Sequence, residues 1–119
     1  IVRMEDAERW FVGVEKAPEA ARFMTVSFDT TPEFRQRCPA AVHVDGTARP
    51  QILDREDSPD VHDLLTRIGE LTGTPVLINT SFNMHEEPIV STPHDAIRAF
   101  KDSSLDGLWL GTCFISKDD

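Results

Sequence analysis

The chain has 119 residues, with 12 basic and 21 acidic side chains and a formal net charge of −9 at pH 7. This length suits one domain with a real core and leaves little room for a second. The negative field repels phosphate backbones and anionic lipid, so we expect no bulk nucleic-acid binding and no membrane partner. A small anion can still bind where one Arg meets backbone N–H groups.

The two cysteines, Cys38 and Cys113, are far apart and form no Cys-x-x-Cys pair. We interpret them as free thiols of a reducing compartment, which predicts a cytoplasmic protein. No apolar run approaches the roughly 20 residues of a membrane span, and no leader-like segment opens the chain. The chain starts at Ile1 with what resembles the end of a helix, so we expect a piece of a longer protein.

The first half of the chain predicts short elements. Residues 5–11 favour a helix that ends near Gly13, and the alternating residues 23–28 favour a strand. A helical turn at 32–37 precedes two short predicted strands, at 41–44 and 51–53, which flank a polar loop.

The second half carries clearer signals. Ser58 and Pro59 start an amphipathic helix that stops at Gly73, and Thr92 with Pro93 starts another. A strand is expected at 107–110, with Phe114-Ile115 continuing or returning. This alternation predicts an α/β fold, an open mixed twisted sheet with helices packed on it.

A cluster of small polar residues follows the apolar run Val76-Leu77-Ile78 and comprises Asn79, Thr80, Ser81 and Asn83. Polar groups at the carboxyl end of a buried strand often face a ligand. The alternative is a structural turn, in which the same side chains bond to nearby backbone. Phe82 within the run indicates alternation, with Ser81 and Asn83 on one side.

Arg49 follows an Asp-Gly turn and precedes Pro50, so its backbone is restrained while its guanidinium is free to enter a cleft. A planar five-donor fork suits phosphate or carboxylate. The alternative is a surface Arg paired with one of the many acids.

His43 and Asp45 alternate on the predicted strand and could serve as a metal pair or as a base with its orienting carboxylate. A structural histidine is the alternative. The usual nucleotide-binding and hydrolase motifs are absent from the sequence.

Two segments together resemble a known family. The first, residues 41–51, contains His-Val-Asp-Gly-Thr-Ala-Arg-Pro-Gln, and the second, residues 74–83, is followed by Glu87-Pro88-Ile89-Val90. With Phe23-Met24 and residues 92–96, they resemble the C-terminal domain of the O-carbamoyltransferases that include nodulation protein U and the cephamycin and tobramycin carbamoyltransferases.

The resemblance implies that residues 1–119 are an N-terminally truncated fragment of a YrdC-like α/β domain. Such a domain uses ATP and carbamoyl phosphate to join a carbamoyl group to AMP, and an iron-containing N-terminal domain passes it to a hydroxyl acceptor. The resemblance assigns Arg49, as the catalytic residue, to the phosphate or the carbamoyl-bearing end. It assigns Asn79, Ser81 and Asn83 to the adenylate and phosphate site. Mg²⁺ is expected with the nucleotide, and no metal ligand is predicted in this chain.

The sequence also departs from the family pattern. The family's Lys- and Arg-rich motif normally precedes the region where this chain begins, so we expect part of the site to lie elsewhere. Arg22 stands where Pro often precedes Phe-Met. Glu86 stands where Gly is common, which predicts a changed loop backbone because Gly tolerates a positive φ and Glu does not.

We therefore predict the C-terminal part of an O-carbamoyltransferase, inactive as a fragment. The alternative is a non-catalytic ligand-binding or packing module that completes a partner domain. A third possibility, metal-dependent hydrolysis by His43 and Asp45, requires a third ligand beside them.

Overall fold

Helices and short strands alternate along the chain in the computed structural model, which describes residues 1–117. The α-helices are α1 (Ala7–Trp10), α2 (Pro18–Ala21), α3 (Pro32–Arg37), α4 (Pro59–Thr72) and α5 (Pro93–Asp102). The 3₁₀ turns are Met4–Asp6, Val14–Lys16 and Pro39–Ala41. The strands are β1 (Val2–Arg3), β2 (Phe11–Val12), β3 (Phe28–Thr30), β4 (Thr47–Ala48), β5 (Ile52–Leu53), β6 (Gly107–Leu110) and β7 (Cys113–Ser116).

The predicted α/β class is confirmed, and the strands of the described chain are distributed over three small sheets. β1 pairs in parallel with β5, with Val2 opposite Ile52. β2, β3 and β4 form an antiparallel sheet in that order, and β6 and β7 form an antiparallel hairpin. Of the two alternatives left open for residues 114–115, the hairpin shows that they return along the preceding strand.

The chain divides into two units, Ile1–Asn79 and the part from Thr80 onward. Buried aromatic rings form the centre of the first unit. The Phe34 ring lies 5.8 Å from Trp10 and 5.1 Å from Phe11, centroid to centroid, and both pairs are tilted. Such tilted pairs stabilise the core beyond their area burial. Because Phe34 belongs to α3 and Phe11 to β2, the cluster packs this helix against the antiparallel sheet.

Helix α4 has the predicted bounds and contains 14 residues. It ends at Gly73, which has φ 73° and donates its N–H to Gly69 O at 2.8 Å. This left-handed C-cap is the conformation that Gly adopts without strain. The Ser58 side chain makes no capping hydrogen bond. Within residues 1–117, no helix combines the length and the apolar character that crossing a bilayer requires.

Helix α5 organises the second unit. The Thr92 hydroxyl accepts a hydrogen bond from the Asp95 N–H at 3.1 Å, which confirms the predicted N-cap. Ala96, Ala99 and Phe100 are buried on one face of the helix. The β6–β7 hairpin follows, with Leu108 buried.

Three predicted strands are wrong: the first overlaps the observed strand only at Phe28, and the other two are absent. Met24 has φ 57°, which breaks the extended backbone expected at 23–28, so β3 starts only at Phe28. Residues 41–44 run from a 3₁₀ turn into a hydrogen-bonded turn. Residues 76–78 form no strand, and Val76 makes a single bridge to Val2. In each case, local alternation or apolarity was present without a partner long enough to pair with it.

Two leucines of α4 test the core assignment with the same substitution. Leu65 is 0% exposed and Leu71 is 71% exposed. We expect Leu65→Ala to lower the free energy of unfolding by about 2–5 kcal/mol, because it leaves a cavity. Leu71→Ala should change it by less than about 0.5 kcal/mol. Urea unfolding measures both, and equal effects of the two substitutions would contradict the packing described.

Candidate functional site

A cleft of about 250 Å³ opens in the first unit. Its polar wall includes Arg49, Gln51 and Asn79, and its apolar floor includes Val2 and Phe34. Two of the predicted site residues, Arg49 and Asn79, therefore share one cavity although 30 positions separate them in sequence. The cleft combines one cation with neutral amides over an apolar base, as small-ligand sites commonly do.

Backbone pairing on both sides of β1 positions this wall. The Val2 N–H donates to Gln51 O at 3.0 Å, and the Leu77 N–H donates to Ile1 O at 3.1 Å. The segment after Arg49 and the segment before Asn79 thus flank the same short strand. Residues distant in sequence meet here because main-chain hydrogen bonds fix both segments.

The Asn79 amide donates from Nδ2 to Gln51 Oε1, and Nδ2 also lies 3.8 Å from Met24 Sδ. This pairing fixes the orientation of both amides. The remaining amide atoms, Asn79 Oδ1 and Gln51 Nε2, have no hydrogen-bond partner within residues 1–117. The pair therefore presents one acceptor and one donor group to a ligand.

Gln51 and Met24, which both contact Asn79 in this cleft, were not predicted as site residues. Gln51 lies two positions after Arg49, so strand-like alternation places them on one side and could have identified it. Met24 has a positive φ, which costs a non-glycine residue free energy and is frequent at binding sites. Nothing in the local sequence indicates that conformation.

Arg49 is exposed, and it forms no salt bridge with any acid of the described residues. Two other arginines of the first unit are paired: Arg22 with Asp57 at 2.6 Å and Arg9 with Glu33 at 2.5 Å. The alternative in which Arg49 is a surface residue paired with an acid therefore finds no acidic partner among the described residues. A guanidinium without a counter-ion in a cleft is free to bind a ligand anion.

His43 and Asp45 lie in a turn and not on a strand, which corrects the predicted alternation. Both bind Thr47: His43 Nδ1 lies 3.0 Å from Thr47 Oγ1, and the Thr47 hydroxyl lies 2.7 Å from Asp45 Oδ1. The Thr47 side-chain and backbone hydrogen bonds lower the pKa of the Asp45 carboxyl. Within residues 1–117, no three metal-ligating side chains are grouped, so metal-dependent hydrolysis lacks its third ligand.

Ser81 and Asn83 lie in the second unit and bind each other. The Ser81 hydroxyl donates to Asn83 Oδ1 at 2.5 Å. Asn83 Nδ2 donates to Met84 O at 2.9 Å and to Glu87 O at 3.2 Å. The two hydrogen bonds that Asn83 Nδ2 donates therefore stabilise its own loop in this conformation. The lone pairs of Ser81 Oγ remain available to accept a hydrogen bond.

The same loop is anchored to α5. Glu87 forms a bidentate salt bridge with Arg98, in which the two carboxylate oxygens lie 3.0 and 2.7 Å from the guanidinium nitrogens. The hydrogen bonds from this cation lower the pKa of the Glu87 carboxyl. Glu86 has φ 65°, in the left-handed region. The backbone therefore keeps the conformation that Gly favours although Glu occupies the position.

A comparison with protein families matches residues 1–117 to the Carbamoyltransferase C-terminus family. An uncharacterized protein of Methanocaldococcus jannaschii is 42% identical over 106 residues, covering 89% of this chain and 17% of that protein. Nodulation protein NolNO of Sinorhizobium fredii is 36% identical over 113 residues, covering 95% and 16%. Nodulation protein NolO of Bradyrhizobium diazoefficiens is 44% identical over 78 residues, covering 66% and 14%. The chain thus spans a fifth or less of the length of these relatives.

The strained backbone at Glu86 gives a stability test. We expect Glu86→Gly to raise the free energy of unfolding by about 0.5–1 kcal/mol, because Gly removes most of the left-handed penalty. His85→Gly, at the exposed neighbouring position without a positive φ, should leave stability unchanged or lower it. Urea unfolding of the two variants makes the comparison. A lower stability of Glu86→Gly than of His85→Gly would contradict the strained conformation.

Proposed function

Because the chain belongs to the Carbamoyltransferase C-terminus family, we propose that it is the C-terminal part of an O-carbamoyltransferase. Its role is to contribute to the ATP-dependent activation of carbamoyl phosphate as carbamoyl-adenylate. The observation that carries the proposal is the cleft in which Arg49, free of any salt bridge to the described residues, lies with neutral amide groups.

Arg49 binds the phosphate or the carbamoyl-bearing end of carbamoyl phosphate. Its planar fork donates two parallel hydrogen bonds to neighbouring oxygens, which a Lys ammonium cannot do with the same geometry. The cation also offsets a protein charge of −9 at the one place where an anion must bind. The residue thereby favours both binding and the charge that develops on transferring oxygens.

The amides of Gln51 and Asn79 orient the ligand without reacting. In phosphoryl chemistry, positioning and electrostatic stabilisation supply most of the catalysis, so neutral donors beside one Arg are sufficient partners. In the proposed reaction, carbamoyl phosphate, ATP and water are converted to carbamoyl-adenylate, pyrophosphate and phosphate. These side chains form no covalent bond in it.

Ser81 and Asn83 are proposed to bind the adenylate and its phosphate. Ser81 Oγ donates to Asn83 in the structure described above, so a phosphate oxygen there takes that hydrogen bond in exchange. Within residues 1–117 no acidic cluster is placed for Mg²⁺. We therefore name no Mg²⁺ ligand among the described residues, and the expected Mg²⁺ is proposed to bind through the phosphates of the nucleotide.

The remaining assignments concern the whole protein. The hydroxyl acceptor and the iron belong to the N-terminal domain of the family, and the fragment by itself is proposed to be inactive. Cys38 and Cys113 are both free thiols, which supports the cytoplasm as the compartment.

The second candidate is a non-catalytic module that binds a ligand or packs against a partner domain. The hydrogen bonds that Ser81 and Asn83 make within their own loop favour it, because they give those side chains a structural role. The two candidates differ in one respect: only the enzyme requires Arg49 for turnover.

Carbamoyl-phosphate-dependent exchange of labelled pyrophosphate into ATP by the full-length protein tests the proposal. We expect Arg49→Ala to lower exchange by about a hundredfold or more and Arg49→Lys to restore part of it. Ser81→Ala should also lower exchange. Arg67→Ala, at an exposed Arg of α4 that pairs with Glu70, is the control and should leave exchange unchanged.

Two results would overturn the proposal in different ways. No exchange by the folded full-length protein would exclude adenylation and support the module. Undiminished exchange by both Arg49→Ala and Ser81→Ala would exclude the site assignment.

A further inference from the structure

His43 lines the cleft that contains Arg49 and Asn79, and the activation proposed above gives it no role. Its ring is held by a chain of hydrogen bonds to Thr47 and then to Asp45. The direction of these hydrogen bonds determines whether the other ring nitrogen, Nε2, is a hydrogen-bond donor or an acceptor.

The Thr47 hydroxyl has one proton and two acceptor lone pairs. Asp45 Oδ1 lies 2.7 Å from Thr47 Oγ1 and also accepts the Thr47 N–H at 3.0 Å. An ionised carboxylate can only accept, and a charge-assisted hydrogen bond is stronger than one between neutral groups. The Thr47 proton therefore goes to Asp45, and Thr47 Oγ1 accepts from His43 Nδ1–H at 3.0 Å.

A neutral imidazole that carries its proton on Nδ1 has an unprotonated Nε2. His43 Nε2 is consequently a hydrogen-bond acceptor, and within residues 1–117 it has no partner. Arg49, His43 and Asn79 line the same cleft, so its lining residues include one cationic donor and two side chains with an unpaired acceptor, His43 Nε2 and Asn79 Oδ1.

The turn that carries His43 is fixed on both sides. The His43 N–H donates to Thr47 O at 2.7 Å, and the Gly46 N–H donates to His43 O at 2.9 Å. Thr30 binds Gly46 O through its hydroxyl at 2.6 Å. Gly46 has φ 84°, a left-handed conformation that favours glycine, and a Cβ there would lie 3.2 Å from the Arg35 guanidinium. The acceptor is preorganised before any ligand binds.

We propose that His43 determines the specificity of this cleft by accepting a hydrogen bond from a ligand N–H, so that a carbamoyl group is preferred to an acyl group of the same shape. The inference rests on the proposed function, because it takes carbamoyl phosphate as the ligand of the Arg49 cleft. Carbamoyl and acetyl phosphate share the phosphate and the carbonyl and differ in an NH₂ or a CH₃. A site that hydrogen-bonds a group discriminates against the analogue that lacks it.

The test compares binding of carbamoyl phosphate and acetyl phosphate to the full-length protein by calorimetry. We expect wild type to prefer carbamoyl phosphate by about tenfold, the value of one hydrogen bond at an exposed residue. His43→Leu should remove the preference and leave acetyl phosphate binding unchanged, whereas His43→Gln should retain part of it. Thr47→Val should also reduce the preference, and Thr47→Ser, which keeps the hydroxyl, should preserve it.

A spectroscopic measurement tests the tautomer independently. In the nitrogen-15 spectrum of the imidazole, assigned by its loss in His43→Gln, we expect protonated Nδ1 and unprotonated Nε2. An Nε2–H tautomer, or equal losses of affinity for both phosphates in His43→Leu, would overturn the role of His43 and leave that of Arg49 standing. Failure of the folded wild-type protein to bind carbamoyl phosphate would overturn both, and binding of both phosphates without preference would overturn only this inference.

Discussion

The pairing of β1 with chain segments on both sides is the constraint on which the site depends. β1 contains only Val2 and Arg3, yet β5 and Val76 both pair with it. These main-chain hydrogen bonds bring together a loop near residue 50 and a segment that ends at Asn79. The Asn79–Gln51 contact across 28 residues follows from that arrangement. Loss of the pairing would separate the cation of the cleft from its amides.

The cleft proposed to bind an anion belongs to a strongly acidic chain. Arg49 is without a salt bridge to the described residues, whereas Arg9 and Arg22 are neutralised by neighbouring acids. Among residues 1–117, no acid lines the cleft, and the carboxylate of Asp45, two positions from His43, bonds to Thr47, which in turn contacts His43. One free cation beside fixed neutral groups has the balance of charge that a small phosphorylated ligand requires.

The sequence predicted the elements whose signals are local. The N-cap of Thr92 and the Gly73 stop of α4 each depend on residues within a few positions, and both appear in the structure. Of the apolar stripe of α4, Leu65 is buried, whereas Leu64 and Leu71 are exposed. The extended segments at 23–28 and 76–78 depended on distant partners, which periodicity does not report. The left-handed backbone of Met24 interrupts the first, and the second has only one bridge.

The candidate site divides in the same way. Arg49 and Asn79 share a cavity, whereas Ser81 and Asn83 bond within their own loop, and the roles predicted for all four remain predictions. Gln51 was not predicted although its alternation with Arg49 could have identified it, and Thr47 was not predicted because its role depends on hydrogen bonds formed in the fold. Sequence gives the residue types of a site, and the hydrogen-bond directions that define its chemistry come from the fold.

The central claim is that the Arg49 cleft holds the phosphorylated substrate. The most direct measurement is a crystal structure of the full-length protein with carbamoyl phosphate and a non-hydrolysable ATP analogue. We predict a phosphoryl or carbamoyl oxygen within hydrogen-bond distance of the Arg49 guanidinium, with Asn79 and Gln51 beside the same ligand. A well-ordered ligand bound elsewhere, with this cleft filled only by solvent, would contradict the account.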